Sequence, residues 1–340
     1  MSTIPMRHSF LKELFQQFKK KHCHIVLSEG EDDRVIAAAI YVAQESRTTI
    51  TLLGRSEIIL SKISHHKLSS AIKVVDPAQS EFIPAYSETY FSLRRHKGIT
   101  REFARKAVTH PLNYAAIMVK ENHAMGTIGG AVYTTADTLR AALHVIGRKP
   151  DTGHISSFFI MLPETEKTPI KSPVLFADCA MIVEPSAEQL AEIGLAAGHT
   201  AEKLLGTKPQ VGFLSFSTAG SGNHPNVDKV KEALQIACLK KPNWIIPQEL
   251  QFDAAIDPIL RRKKAPNLEF EEYPNVFVFP NLEAGNIGYK IAERIGGMVA
   301  VGPVLQGLAK PANDLSRGCQ VDDIIALIVI TCLQAQTAND

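Results

Sequence analysis

Short runs of β-formers alternate with amphipathic helical stretches along almost the whole chain, and nothing else in the sequence narrows the possible folds as far. His24-Ile25-Val26-Leu27-Ser28 reads as a strand, followed by a polar turn and a helix over residues 34–44. Residues 49–53 and 72–75 read as further strands. Residues 115–120 and 125–132 continue the pattern, the second running into a helix opened by Thr134-Thr135-Ala136-Asp137. The second half repeats the grammar, with strands over 155–162, 174–177, 211–216, 244–246 and 276–279 and helices over 188–205 and 227–239. Alternation of this kind predicts parallel β-α-β units with helices on both faces of a sheet.

A chain of 340 residues that is 45% hydrophobic is long enough for two such domains. The turn-rich Lys149-Pro150-Asp151-Thr152-Gly153 near the midpoint places the boundary, and a cleft between two α/β domains is the expected site.

Charge excludes several partners. The formal net charge is only +2, and the basic patches Lys19-Lys20-Lys21 and Arg261-Arg262-Lys263-Lys264 lack interleaved aromatics, so they read as solvated surface rather than a nucleic-acid interface. The longest apolar run, residues 324–333, is half of what a bilayer span needs. Phe10, Leu11, Leu14, Phe15 and Phe18 share one face of an N-terminal helix, which is expected to dock on its own domain. Five scattered cysteines (Cys23, Cys179, Cys238, Cys319, Cys332) without CxxC pairs predict free thiols in a reducing cytoplasm. In His22-Cys23-His24 the side chains alternate faces and no second ligand pair follows, so no metal site is expected.

Asn313-Asp314-Leu315-Ser316-Arg317-Gly318-Cys319 gathers a carboxylate, a hydroxyl, a guanidinium and a thiol just before the apolar run. Asp322 and Asp323 stand at the start of the expected helix. They are either helix-end carboxylates complementing the dipole or a general base poised near Ser316 and Arg317. Cys319 has no nearby histidine to activate it and reads as a packing residue. Ser217-Thr218-Ala219-Gly220-Ser221-Gly222 follows a strand and offers hydroxyls and backbone N–H groups, as a phosphate loop or as a plain turn. It matches no nucleotide motif. Arg34, Arg94, Arg140 and Arg317 stand beside Gly, Thr or Asp, where a guanidinium fork grips phosphate or forms a surface salt bridge.

Taken together, Lys310-Pro311-Ala312-Asn313-Asp314-Leu315-Ser316-Arg317-Gly318-Cys319 resembles the signature of phosphate acetyltransferases. So do Pro280-Asn281-Leu282-Glu283-Ala284-Gly285-Asn286, Gly302-Pro303-Val304-Leu305-Gln306-Gly307, Phe176-Ala177-Asp178-Cys179-Ala180, Thr135-Ala136-Asp137-Thr138-Leu139-Arg140 and Leu93-Arg94-Arg95-His96-Lys97-Gly98, in order along nearly the whole chain. The resemblance implies two α/β domains of the isocitrate/isopropylmalate-dehydrogenase-like fold. The first covers 1–150 and is completed by 305–340; the second, 151–304, commonly forms a homodimer. It implies reversible conversion of acetyl-CoA and phosphate to acetyl phosphate and CoA without a covalent acyl-enzyme, the acyl-CoA being a substrate and no cofactor being needed.

By motif, the resemblance makes Asp323 the base for the CoA thiol, Ser316 its hydrogen-bond partner and Arg317 the holder of phosphate and carbonyl. Arg94 and Arg140 complete the phosphate pocket and Arg34 touches CoA, with Ser217, Thr218 and Gly220 as further substrate contacts. Met125, Gly129, Tyr133, Ala219 and Pro247 depart from the usual pattern, which bears on acyl-chain preference and efficiency. The rivals are a non-catalytic acyl-CoA-binding and dimerisation module, a phosphate acyltransferase preferring a longer chain, and a decarboxylating dehydrogenase, for which no metal-binding aspartate cluster is visible.

Overall fold

The computed structural model describes residues 8–64, 70–150, 152–164, 168–268, 270 and 272–337; Asp151, in the expected domain boundary, lies outside them. Within these, ten strands form: β1 Cys23–Leu27, β2 Thr48–Leu53, β3 Ile72–Val75, β4 Gly126–Gly129, β5 Ser156–Pro163, β6 Val174–Ala177, β7 Val211–Phe213, β8 Val276–Val278, β9 Met298–Gln306 and β10 Ala312–Asp314. The chain divides into two units, Met1–Lys149 with Leu308–Asp340, and Pro150–Gly307.

The first unit carries a five-stranded sheet of order β10-β4-β1-β2-β3, parallel throughout as the alternation predicts. The helix Val321–Thr337 packs against β1 and β4. A Cβ on Gly126 would come within 2.5 Å of the Thr331 methyl, so glycine in β4 permits the close crossing. Asn313 on β10 donates to Thr331 Oγ1 (2.9 Å) and Gln334 Oε1 (2.8 Å), which ties the last strand to the last helix. The N-terminal helix Ser9–Phe18 buries Leu11, Leu14, Phe15 and Phe18 within its own unit, as its apolar face predicts.

Several expectations need correction. Residues 115–120 belong to the helix Pro111–Lys120, whose segment Tyr114–Val119 is buried all round and so shows no helical period in the sequence. Residues 244–246 form no strand; Ile245 makes only an isolated bridge to Gln210. The second sheet, β7-β8-β6-β5-β9, is mixed, because β5 runs antiparallel to both β6 and β9. In sequence, β9 reads as a turn because it contains Gly302-Pro303. It survives because β9 is an edge strand, where a missing N–H is tolerated, and because the register shifts between Phe158 and Ile160 opposite it.

Two chemical expectations also fail. Cys23 and Cys332, 309 residues apart, are joined in a disulfide with Cα atoms 6.0 Å apart, since the final helix crosses β1 there. Free thiols remain at Cys179, Cys238 and Cys319. Arg261 is not surface: it is 2% exposed, donating to the carbonyls of Ala255 (3.1 Å), Phe270 (2.7 Å) and Glu272 (2.9 Å). Backbone carbonyls thus satisfy a buried cation that the sequence reads as part of a basic patch.

Candidate active site

Three segments at the carboxyl ends of parallel strands meet in the first unit: 28–34 after β1, 130–133 after β4 and 315–319 after β10. Pairing fixes them side by side, with β4 between β1 and β10. Ligand sites of parallel α/β sheets lie at this edge, because the loops there are free to vary while the strands hold them in place.

The 315–319 segment presents Ser316 and Arg317 to solvent. Cys319 N–H donates to the Ser316 carbonyl (2.9 Å) and Gly318 N–H to Ser316 Oγ (3.3 Å), which curls the segment so that both side chains project. The Arg317 guanidinium has no ion pair among the described residues. Asp323 lies in the first turn of the Val321–Thr337 helix; its Oδ2 accepts the Gln320 N–H at 2.8 Å. One oxygen therefore caps the helix and the other has no hydrogen bond among the described residues, so the capping and chemical readings are compatible. Burial pushes the Cys319 thiol up to about 11, which makes it a packing group rather than a nucleophile at neutral pH.

Arg94 ends the helix Ile83–Arg94, and Arg140 lies in the last turn of Thr135–Ala141. The structure brings them together around His144, whose imidazole is held below its ordinary pKa first by burial and then by Arg94, Arg140 and Lys97. Arg140 is exposed and paired with Asp137 at 2.7 Å; Arg94 has no ion pair among the described residues. Converging cations of this kind repel one another unless an anion joins them. Lys97 and His144 were not singled out from the sequence, although His144 stands four residues after Arg140, the spacing that shares a helix face.

Arg34 directs all five of its N–H groups at its own protein. Nε and Nη2 reach Asp32 at 3.0 and 2.8 Å and Nη2 reaches the Ala131 carbonyl at 3.0 Å, while Nη1 reaches the carbonyls of Arg317 and Cys319, each at 2.9 Å. Glu29, which the sequence reading passed over, is 7% exposed and accepts four consecutive backbone N–H groups, from Gly130 (3.1 Å), Ala131 (2.9 Å), Val132 (2.8 Å) and Tyr133 (2.7 Å). Its partners are a hundred residues away, so no local signal announces it. Asp314, behind Gly130, is buried with no hydrogen bond of ordinary geometry to either oxygen. Burial pushes its pKa up to about 6; the nearby Thr135 and Thr138 hydroxyls pull the other way.

In the second unit Ser217 and Thr218 are buried. Ser217 Oγ and the Gly220 N–H both donate to Glu249 Oε1 (2.9 and 2.7 Å), and Thr218 Oγ1 accepts from Gln251 N–H (3.0 Å). A carboxylate of the chain itself thus occupies the position that the phosphate-loop reading gives to a ligand. In His22-Cys23-His24, where no metal site was expected, Cys23 is disulfide-bonded and His24 Nε2 lies 2.8 Å from Thr51 Oγ1.

A family model described as phosphate acetyl/butaryl transferase matches residues 9–332. The chain is 42% identical over 326 residues to a phosphate acetyltransferase of Paracoccus denitrificans, covering 96% of this chain and 99% of that protein. A phosphotransacetylase structure from Streptococcus pyogenes matches with a TM-score of 0.88 at 38% identity, over 99% of this chain and 100% of that one. A putative 4-hydroxythreonine-4-phosphate dehydrogenase from Salmonella typhimurium, 9% identical with a TM-score of 0.53 over 93% of this chain and 100% of that one, is similar in fold alone. Sheets, strand-end loops and converging cations define an α/β protein of the dehydrogenase-like fold. The chain belongs to the phosphate acetyl/butaryl transferase family.

Proposed function

We propose that this protein is a phosphate acetyltransferase that interconverts acetyl-CoA plus phosphate with acetyl phosphate plus CoA by direct transfer in a ternary complex. The observation that carries the reading is the exposed Ser316–Arg317 pair just after β10, with the Asp323 carboxylate in the first turn of the helix that follows. A thiol with a reference pKa near 8.5 is mostly protonated at neutral pH, so a carboxylate must take its proton as it attacks. In the direction of acetyl-CoA synthesis, Asp323 accepts the proton, the thiol sulfur bonds to the acetyl carbon, and the bond from that carbon to the phosphate oxygen breaks. Ser316 orients the sulfur. Arg317 stabilises the oxyanion of the tetrahedral intermediate and the departing phosphate. Arg94 and Arg140, with Lys97 and His144 beside them, supply positive charge for anionic groups of the substrates.

In this reading Arg34, Ser217, Thr218 and Gly220 stand outside the reacting set, because their polar groups are already paired within the chain. The enzyme works in the cytoplasm, where its thioester substrate resides, and the Cys23–Cys332 disulfide is buried away from soluble reductants. It forms a homodimer through the second unit, where the helix Leu282–Arg294 leaves Ile287, Ile291 and the following Ile295 exposed at four-residue spacing. No observation favours a non-catalytic binding module. Phosphate-dependent release of CoA from acetyl-CoA tests the function, with propionyl- and butyryl-CoA as comparisons; absence of release at millimolar phosphate from folded protein refutes it.

A further inference from the structure

We infer that Glu29 is a positioning residue that holds the catalytic loops in register, and that Arg34 extends its reach to the segment bearing Ser316 and Arg317; this rests on the acetyltransferase reading above. The Glu29 carboxylate gathers four consecutive N–H groups, Oε1 accepting from Gly130, Val132 and Tyr133 and Oε2 from Ala131. Consecutive N–H groups converge only where the backbone curls, and Gly130, at φ 103°, provides the curl. Nothing but glycine fits there: a Cβ would lie 2.3 Å from Asp314 Oδ1 and 2.5 Å from the Leu315 carbonyl. The loop after β4 is thereby pressed against the residue preceding Ser316, while its other end leads into the helix that carries Arg140.

Arg34 closes the remaining gap. From the first turn of the helix Asp33–Glu45 it grips one carbonyl of the 130–133 loop and two of the 315–319 loop with a single rigid guanidinium. The β1 end therefore clamps both neighbouring loops, by a carboxylate on N–H groups and a guanidinium on carbonyls. Reacting groups need this support, because a displacement of about 1 Å costs roughly 100-fold in rate.

The test uses Arg34→Lys, which keeps the charge but loses the fork, and Glu29→Gln, which presents one acceptor oxygen and an NH2 to four N–H groups. For each, a thermal melt checks folding, calorimetry gives the CoA Kd, steady-state kinetics separate kcat from KM, and peptide mapping follows N-ethylmaleimide labelling of Cys319 without substrate. The clamp predicts a CoA Kd within about threefold of wild type, kcat lower by roughly 10- to 100-fold and faster labelling of Cys319. Weakening of CoA binding by tenfold or more with kcat unchanged would make Arg34 a substrate contact and overturn the inference. So would wild-type kcat and labelling in the folded variants. If Glu29→Gln does not fold, Arg34→Lys decides alone. A wild-type enzyme without acetyl transfer refutes the functional reading, whereas the labelling of Cys319 still reports on the clamp.

Discussion

The proposed mechanism gives Arg317 and Asp323 different roles, so their variants should separate. Arg317→Gln removes the charge to which that mechanism assigns phosphate and the oxyanion, so it should raise the phosphate KM and lower kcat together. Asp323→Asn still presents an oxygen to the Gln320 N–H but cannot take a proton, so it should lower kcat by roughly 10²- to 10⁴-fold with little change in KM or melting temperature. Steady-state kinetics with both substrates varied will distinguish the two patterns. Asp314 gives a pH signature of a different kind. Its pKa rises on folding from 3.8 to about 6, so the folded state binds its proton more tightly than the unfolded chain does. Its favourable contribution is complete below about pH 4 and disappears as pH climbs through 6, a swing of about 3 kcal/mol at 1.36 kcal/mol per unit. Asp314→Asn should therefore melt higher than wild type at pH 8 and lose that advantage by pH 4, as calorimetry across that range would reveal.

At the scale of elements, the final helix is where chain ends become structure. The disulfide from β1 to this helix closes a loop of 309 residues and constrains the unfolded chain, so Cys332→Ser should cost about 2–4 kcal/mol in denaturant titrations under non-reducing conditions. Much of the first sheet was legible in advance. Residues 72–75 and the segment after His24 read as strands because apolar β-formers stand between turn residues, and they are strands. What escaped the sequence did so for identifiable reasons. Three residues, 312–314, are too few to display a period, so β10 is invisible until its partner β4 is known. Tyr114–Val119 is buried on every side and erases the helical stripe. The candidate cluster of Ser316, Arg317 and Asp323 could be read in advance because eight residues of sequence contain it, whereas Glu29 depends on N–H groups contributed by a loop a hundred residues later. Short-range chemistry can be read from neighbours along the chain; a clamp assembled by strand order cannot.

For the whole molecule, the exposed isoleucine row makes the oligomer testable. Analytical ultracentrifugation should give twice the chain mass of 37.2 kDa, and Ile291→Glu, which places a charge in the middle of the row, should yield the single-chain mass. A mass of 37.2 kDa for the unmodified protein would refute the dimer. The return of residues 308–340 to the first unit has a further effect on how the protein is made. During synthesis the second unit is one continuous stretch and can fold as soon as it leaves the ribosome. The first unit cannot: until β10 emerges, β4 is an unpaired edge, and the surfaces of β1 and β4 that receive the last helix face water. The part translated first is thus completed after the second unit, and the nascent chain must keep an open sheet edge from pairing with its neighbours on a polysome until β10 has emerged.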